Sequence, residues 1–379
     1  MTATPGLEEL YRELDARLAE RAAQYPRRAE PLWSELQRLL EAVTERLWER
    51  PADTEAPPDG LEELTDRPVF VLGYYKSGTT LLLNLLDGHP DVFALPGESR
   101  HFPRFAEELA SLPSEEERLR RLHAAWIRRL ITPYGIPPFW ALGEPWQAEE
   151  DPYRLFTAHL LRFAGARDGE DLLGAVAQAM AAATGASPRL WAEKTPTHEF
   201  HLKRILAEYP EARFVHIVRD PRSTLNSILR FGGDQQIADP LTAAAELGRS
   251  FALAREWQRK LPSRYLVLRY EDLVEEPADS MRRVAEMLEI PYGGTLATPT
   301  VGGRPATANA GVAERRVVGR VHRLSLGETD ALDDRTGAVV AALAGRESRA
   351  LGYDVPPGNP AVRLAARVVL WSRFRIPHG

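Results

Sequence analysis

Residues 67–90 read RPVFVLGYYKSGTTLLLNLLDGHP, and this stretch constrains the fold more than any other part of the chain. It opens with the apolar run Val69–Leu72, which is bounded by Pro68 and Gly73. A run of that length and β-branched content is typical of a buried strand. The apolar stretch Leu81–Leu86 follows and has the composition of a packed helix. The sequence therefore predicts a strand, a short loop and a helix in succession.

The loop between this strand and this helix, Tyr74–Thr80, has the features of an anion-binding site. The first turn of a helix offers backbone N–H groups without intrahelical partners, and the helix dipole adds positive potential there. Gly78 allows the backbone to approach an oxyanion without a Cβ clash, and Lys76 adds a point charge. Thr79 and Thr80 add hydroxyl donors. A plain strand–turn–helix corner with an exposed lysine is the alternative interpretation.

The loop differs from the phosphate loop of nucleoside triphosphatases. That motif, GxxxxGK followed by Ser or Thr, places its lysine directly after the last glycine. Here Lys76 precedes Gly78, and Thr79 stands where the motif has its lysine. The loop is thus predicted to bind phosphate, but not a magnesium-bound triphosphate. Two alternatives stay open: a P-loop nucleotide kinase, and a nucleotide-binding protein on the same fold without transfer activity.

The loop sequence Lys76-Ser77-Gly78-Thr79-Thr80 fits the pattern Lys/Arg-x-Gly-Thr-Ser/Thr. This pattern is the 5′-phosphosulfate loop of sulfotransferases that use 3′-phosphoadenosine 5′-phosphosulfate, and the chain resembles that family. The continuation Leu-Leu-Asp-Gly-His-Pro-Asp-Val and the later Gly-Glu pair are similar to the tyrosylprotein branch and to bacterial carbohydrate or small-molecule branches. These motifs occupy residues 85–92 and 97–98; the resemblance spans residues 67–355 in motif order and is strongest at 68–103 and 191–231.

The resemblance implies an α/β, P-loop-like three-layer fold with a central parallel sheet flanked by helices. It also implies 3′-phosphoadenosine 5′-phosphosulfate as the co-substrate, adenosine 3′,5′-bisphosphate as the product, and no metal. The reaction would move a sulfonate to a hydroxyl, or an amine, of a sugar, peptide or small-molecule acceptor by in-line displacement. Loop residues 76–80 would bind the 5′-phosphosulfate, and Lys76 would stabilise charge on the departing phosphate oxygen.

A second phosphate site is predicted where the strand Arg213–Val218 ends. Arg219 follows this strand directly, and Ser227 lies nearly two turns into the next helix. A guanidinium fork and a hydroxyl can bind one phosphate together. In the family that the chain resembles, the pattern RDxR-x4-S holds the 3′-phosphate of the donor. A pair between Arg219 and a carboxylate at the sheet edge is the alternative.

Glu98 is the candidate general base, because an acceptor hydroxyl must lose its proton as the new O–S bond forms. Tyrosylprotein and heparan sulfotransferases use a glutamate in this region, whereas the cytosolic steroid and phenol branch uses a histidine. The tyrosylprotein pattern GEETR is one residue longer than Gly97–Arg100 of this chain. His101 is therefore the rival base. The alternative is a structural role, in which Glu98 is a carboxylate near Ser99 that stabilises a helix N-terminus.

Lys194 resembles the second lysine of the family, which contacts the transferring sulfonate or the bridging oxygen. A surface ion pair with Glu193 is the alternative. Late in the chain, residues 308–320 occupy the place of a family loop that covers the donor nucleotide. Arg315 or Arg316 is expected to meet the 3′-phosphate, with Arg320 a further candidate. Since no third ligand is spaced to join His198 and His201, no metal site is predicted.

Composition excludes several classes of protein. The 379 residues carry a formal net charge of −6, so a general nucleic-acid-binding surface is not expected. The chain has no cysteine, which excludes disulfides, thiolate metal sites and cysteine nucleophiles. Neither a signal peptide pattern nor an apolar run of membrane-spanning length is present, so a cytoplasmic protein is expected.

The remaining segments suggest four regions around the motifs. Residues 1–50 have helical apolar spacing and should form a hairpin docked on the core, followed by a Pro-rich linker at 51–66. Residues 67–355 form the predicted sulfotransferase domain, in which 106–187 would build a helical and aromatic wall of the acceptor site. Residues 356–379 form a basic amphipathic tail, expected to dock on the acidic body rather than on a membrane surface. Oligomeric state is left open.

Overall fold

The computed structural model describes residues 5–24, 30–53, 57, 59–131, 139–166, 171–230, 239–306, 318–323, 326 and 332–375. A parallel sheet of five strands forms its centre. The strands are β1 Val69–Leu72, β2 Val92–Ala94, β3 Leu190–Lys194, β4 Arg213–Val218 and β5 Tyr265–Arg269. Their spatial order is β2-β3-β1-β4-β5, so β1 lies in the middle. A short antiparallel pair, β6 Thr300–Val301 and β7 Arg304–Pro305, lies apart from this sheet.

Helices cover both faces of the sheet. Successive strand residues point to opposite sides, so each strand packs against helices on both faces. Val69 and Val71 pack with the helix that follows β1, whereas Phe70 and Leu72 pack into a second cluster on the other face. All four side chains are fully buried. The α/β class with a central parallel sheet flanked by helices, as predicted, is therefore confirmed.

The helices of the described residues are numbered here in chain order. They are α1 Leu7–Gln24, α2 Glu30–Glu49, α3 Thr79–Leu86, α4 Ala106–Ala110, α5 Glu115–Leu130, α6 Pro152–Gly165, α7 Leu172–Ala183, α8 Leu202–Glu208, α9 Pro221–Arg230, α10 Pro240–Lys260, α11 Tyr270–Glu275, α12 Pro277–Leu288, α13 Asp334–Leu343, α14 Gly345–Ala350 and α15 Pro360–Arg375. Short 3-10 turns at Glu62–Thr65, His198–His201 and Gly294–Ala297 and a π turn at His101–Phe105 complete the set.

The first two helices pack against each other and onto the layer of α5 and α6. Their apolar stripes, including fully buried Leu14, belong to the same cluster as Phe70 of the sheet. Two polar contacts fix the arrangement: Tyr11 Oη donates to Asp151 at 3.0 Å, and Trp140 Nε1 donates to Asp15 at 2.7 Å. The predicted hairpin thus rests on the body of the chain.

The aromatic residues 139–157 of the predicted wall end in a capped helix. The last of them begin α6, and Asp151 caps that helix by accepting from Tyr153 N at 2.9 Å. Pro152 suits the first turn because its missing N–H would lack a partner there. Trp140 and Tyr153 are buried against Tyr11, so these two rings pack in the core of the protein.

Candidate active site

The loop after β1 adopts backbone conformations that few residues tolerate. Lys76 has a φ of 63°, in the left-handed region, and Gly78 has a φ of 105°. A Cβ on Gly78 would lie 2.4 Å from Cδ2 of Tyr270, the first residue of α11. Glycine is therefore required at 78 by the dihedral angle and by the Tyr270 ring, as well as by the approach of an anion. α3 begins directly afterwards at Thr79.

Glu98 and Lys194 meet in front of this loop, although they lie far apart in the sequence. Lys194 Nζ donates to Glu98 Oε1 at 2.9 Å, and Arg100 Nη2 lies 3.5 Å from Glu98 Oε2. Burial would raise the pKa of Glu98, but Lys194 and Arg100 outweigh it and hold the pKa below its ordinary value. Glu98 is consequently ionised near neutral pH, which is the form that can accept a proton.

Lys76 shares this site with the other two charges. Burial lowers the pKa of Lys76 from 10.5 to about 8; the Glu98 carboxylate opposes this shift and the Lys194 ammonium adds to it. The structure therefore brings together three of the predicted catalytic side chains at the carboxyl ends of β1 and β3. Ligands of parallel sheets bind beyond these ends.

The loop that carries Glu98 is held from one side by α5. Arg129 Nε donates to the carbonyl of Glu98 at 2.6 Å, and Arg129 Nη2 donates to the carbonyl of Ser99 at 3.0 Å. Burial, together with neighbouring Arg100, lowers the pKa of Arg129 to about 10. The side chain remains a cation at neutral pH and fixes the two carbonyls.

The same loop is held from the other side by a buried carboxylate. Glu193 Oε1 accepts from Ser99 N at 3.0 Å and from Ser99 Oγ and Thr195 Oγ1 at 2.6 Å each. Burial would raise the pKa of Glu193, but His198, at 2.9 Å, and these hydrogen bonds lower it to about 2. Since neighbouring side chains on β3 point to opposite faces, Lys194 pairs with Glu98. The alternative of a Lys194–Glu193 ion pair was wrong.

The rival base, His101, has different neighbours. Its backbone N–H donates to Ser99 Oγ at 3.2 Å, and its buried ring packs on Phe102. Ring atom Nε2 lies 3.7 Å from Glu208 at the end of α8. In the described residues, the His101 ring thus lies against α8 and the π turn.

The turn after β4 lies directly beside the Lys76 loop. Arg219 is buried, and its Nη1 donates to the carbonyl of Lys76 at 3.1 Å. The same guanidinium lies over the Tyr270 ring, 4.7 Å from its centroid. Asp220 accepts from the Arg222 backbone N–H at 2.8 Å and also pairs with the Arg222 guanidinium, as expected for the start of α9. Ser227 is half-buried on that helix.

A cavity of about 310 Å³ opens beside Arg219. Tyr353 Oη donates to Glu271 at 2.8 Å, and Arg269 lies over the Tyr353 ring at 4.5 Å. The cavity is lined by Arg219, Asp220, Arg222, Ser223, Arg269, Glu271, Leu326, Gly352, Tyr353 and Asp354. Arg269 and Tyr270 were missed as site residues, although their position at the end of β5 was a signal: the carboxyl ends of parallel strands share one edge.

Ser77 provides a test of whether the Lys76 loop suits an anion. Its side chain is fully buried, and Oγ has no hydrogen-bond partner within the described part of the chain. A buried hydroxyl without a partner is costly, and a phosphate or sulfonate oxygen would satisfy it. The loop therefore fits a bound oxyanion. In the described ranges, no three histidine or carboxylate side chains are grouped to hold a metal ion.

Two predicted donor residues, Arg315 and Arg316, lie outside the described residues. Arg320 is described and is exposed. All the other candidate site residues, from Lys76 to Ser227, are among the described residues.

The sulfotransferase family model matches residues 68–293. The chain belongs to the sulfotransferase family. The match covers β1 to β5 and every candidate residue from Lys76 to Ser227.

Individual relatives match over shorter stretches. The chain is 36% identical over 108 residues to an omega-hydroxy-beta-dihydromenaquinone-9 sulfotransferase of Mycobacterium tuberculosis, covering 25% of this chain and 27% of that protein. It is 26% identical over 235 residues to a protein-tyrosine sulfotransferase of Drosophila melanogaster, covering 60% of this chain and 39% of that protein. The matched region is thus less than half the length of either relative.

Solved structures of the family give a weaker likeness. The sulfotransferase domain of the Synechococcus PCC 7002 olefin synthase has 18% sequence identity and a TM-score of 0.47, covering 81% of this chain and 98% of that domain. The sulfotransferase domain from the curacin biosynthetic pathway has 18% identity and a TM-score of 0.45, covering 76% and 98%.

Proposed function

We propose that the protein transfers a sulfonate from 3′-phosphoadenosine 5′-phosphosulfate to a hydroxyl group of a sugar, peptide or small molecule. The observation that carries this proposal is the meeting of Lys76, Glu98 and Lys194 beside the turn that bears Arg219. Family membership supports sulfonate transfer, and the geometry supplies a residue for each step.

The donor would lie across the two adjacent turns. Lys76, Ser77 and the N–H groups at the start of α3 would bind the 5′-phosphosulfate, since this loop offers positive charge and an unpaired buried hydroxyl. Arg219 and Ser227 would bind the 3′-phosphate, because the Arg219 guanidinium reaches the Lys76 carbonyl and so lies next to the first turn.

The transfer step assigns one role to each charge. The acceptor oxygen bonds to sulfur as the bond from sulfur to the 5′-phosphate oxygen breaks, and that oxygen keeps the electron pair. Glu98, which the low pKa keeps ionised, accepts the proton of the acceptor hydroxyl. Lys76 stabilises the negative charge that grows on the departing phosphate oxygen, and Lys194 lies within reach of the transferring group.

Glu98 is better placed than His101 to act as the base. The Glu98 carboxylate lies with Lys194 at the site, whereas the His101 ring lies against Glu208. The acceptors in the names of the two relatives, an omega-hydroxy menaquinone and a protein tyrosine, both carry a hydroxyl group. We therefore favour a hydroxyl over an amine acceptor for this chain.

Transfer of labelled sulfonate to a panel of hydroxylated acceptors tests the function. Lys76→Ala should lower turnover by about 100-fold or more, since a preset charge at the leaving group contributes on that order. Lys203→Ala is the matched control, because Lys203 is an exposed lysine on α8, away from the loop.

Binding measurements separate the alternatives. Tight binding of adenosine 3′,5′-bisphosphate without transfer to any acceptor would indicate a nucleotide-binding protein. Saturable binding of ATP with magnesium, and none of the bisphosphate, would instead indicate a kinase. Wild-type turnover in Lys76→Ala would remove Lys76 from the mechanism.

A further inference from the structure

The last helix, α15, leaves apolar side chains in solvent. Leu364, Val368 and Val369 are exposed to 67%, 58% and 40%, and they make up half of the large apolar side chains that are markedly exposed in the described residues. Such side chains scattered singly need no explanation, but a group of them on one helix marks an interaction surface.

α15 rests on α13 by its opposite face. Ala366 is buried there, and the backbone at Gly358 approaches α13 so closely that a Cβ would lie 2.4 Å from the Ala341 carbonyl. Leu364 and Val368 are one helical turn apart, and both lie roughly half a turn around the helix from Ala366. The contact with α13 thus orients these two side chains away from the protein.

The charge of the helix is entirely positive. Residues 355–379 contain four arginines and no acidic residue. Since the net charge of the chain is −6, the remaining residues carry a formal charge of −10. Arg363 and Arg367 are also one turn apart and flank the Leu364–Val368 stripe on one side. Neither arginine has an ion pair with any described side chain, although α15 packs on α13 and the rest of the chain is acidic overall. We expected the tail to dock on the rest of the chain; in the described residues it does so at Ala366 and at the backbone of Gly358.

We propose that α15 binds the surface of an anionic phospholipid bilayer. Leu364 and Val368 would enter the boundary between headgroups and acyl chains, while Arg363 and Arg367 would meet the phosphates. An apolar stripe with arginines beside it matches a bilayer surface, which is apolar below an anionic layer. In the described part of the chain no helix is long and apolar enough to cross a membrane, so this contact would lie in the plane of the surface.

A second copy of the chain fits this face less well. Two α15 helices facing each other would bring like charges together. The body of a second copy is acidic overall, but among the described residues the body of the same chain gives Arg363 and Arg367 no ion pair. A lipid surface offers both anionic groups and an apolar interior. This proposal does not depend on the proposed sulfonate transfer.

Co-sedimentation of the full chain with vesicles tests the proposal. Vesicles of phosphatidylcholine mixed with phosphatidylglycerol should bind the protein, and vesicles of phosphatidylcholine alone should bind it far more weakly. Added salt should weaken the binding, because it screens the attraction of the arginines to the phosphates.

Two double variants separate the charged and apolar parts. Arg363→Gln with Arg367→Gln should weaken binding to the mixed vesicles on the order of 25-fold, since each basic residue at an anionic surface contributes about a factor of five. Leu364→Gln with Val368→Gln should remove the binding that survives high salt. The matched control is Arg283→Gln with Tyr292→Gln, which removes an exposed arginine and an exposed ring near α12 and should bind as wild type.

Several results would overturn the proposal. They are no binding to mixed vesicles, equal binding to neutral vesicles, or full binding by both α15 variants with unchanged thermal unfolding. Dimers in lipid-free solution, detected by light scattering and lost in Leu364→Gln with Val368→Gln, would assign the face to a second copy instead.

Discussion

Lys76 combines two unusual properties at one residue. Its backbone is left-handed, which is unfavourable for a residue with a Cβ, and its ammonium group is partly desolvated. Strain of this kind persists only where the surrounding structure maintains it. Here Arg219 holds the Lys76 carbonyl and Gly78 packs on Tyr270. The loop is therefore set in shape before any ligand arrives, which lowers the cost of binding an anion.

The pKa of about 8 at Lys76 predicts pH-dependent binding. The protonated lysine attracts phosphate, so affinity for adenosine 3′,5′-bisphosphate should fall as the pH rises above about 8. The limiting slope is about tenfold per pH unit, because one proton is bound with the ligand. Calorimetric titrations across this pH range measure the slope directly.

Lys76→Arg supplies the control for this prediction. An arginine stays charged over the whole range, so the affinity of the variant should not fall above pH 8. Lys203→Arg should keep the wild-type slope. An unchanged slope in Lys76→Arg would mean that a different group titrates.

At the scale of elements, the short loop between β2 and the π turn is held in place by two other elements, α5 and β3. Arg129 on α5 holds its carbonyls, and Glu193 on β3 holds Ser99 from beneath. Neither residue touches the proposed reacting atoms. Their effect is to place the Glu98 carboxylate opposite Lys76, so they are positioning residues.

Arg129→Ala should lower kcat on the order of 100-fold while leaving the affinity for adenosine 3′,5′-bisphosphate within about twofold, because a shift of about 1 Å in a reacting group can cost that much. The adjacent Arg128→Ala is the matched control. Arg128 is exposed and pairs with Glu41 at the surface, where such pairs contribute about 0–1 kcal/mol. Separate measurements of kcat and of bisphosphate binding distinguish the two.

Partial recovery of kcat in Arg129→Lys would support positioning through the two carbonyls. An equal loss of bisphosphate affinity and kcat in Arg129→Ala would show a general structural defect instead.

The elements that the sequence predicted well are those with continuous apolar runs. The first and last residues of β1 and β4 were predicted correctly, because both strands are apolar runs that are buried on both faces. β2 has only three residues and gave no such run. The Glu98–Lys194 contact joins residues almost a hundred positions apart, and no local pattern encodes it.

At the scale of the whole molecule, the hairpin of α1 and α2 shares its core with the sheet. Leu14 is fully buried in that common cluster. Leu14→Ala should therefore lower the free energy of unfolding of the whole chain by about 2–5 kcal/mol, as for other buried leucines. Denaturant unfolding followed by circular dichroism and by tryptophan fluorescence measures this.

The exposed neighbour Glu13 gives a control, since Glu13→Ala should change stability by no more than about 0.5 kcal/mol. Two separate transitions, with only the first shifted by Leu14→Ala, would show that the hairpin unfolds on its own.

The ring of Tyr270 lies between Gly78 and the guanidinium of Arg219. One aromatic side chain therefore supports both of the turns that we propose to bind the donor phosphates. Positions 78 and 270 cannot change independently during evolution: any side chain at 78 would require a smaller residue at 270, and that residue would leave Arg219 without its support. We expect natural variation in this part of the molecule to occur, if at all, as joint replacement of all three residues.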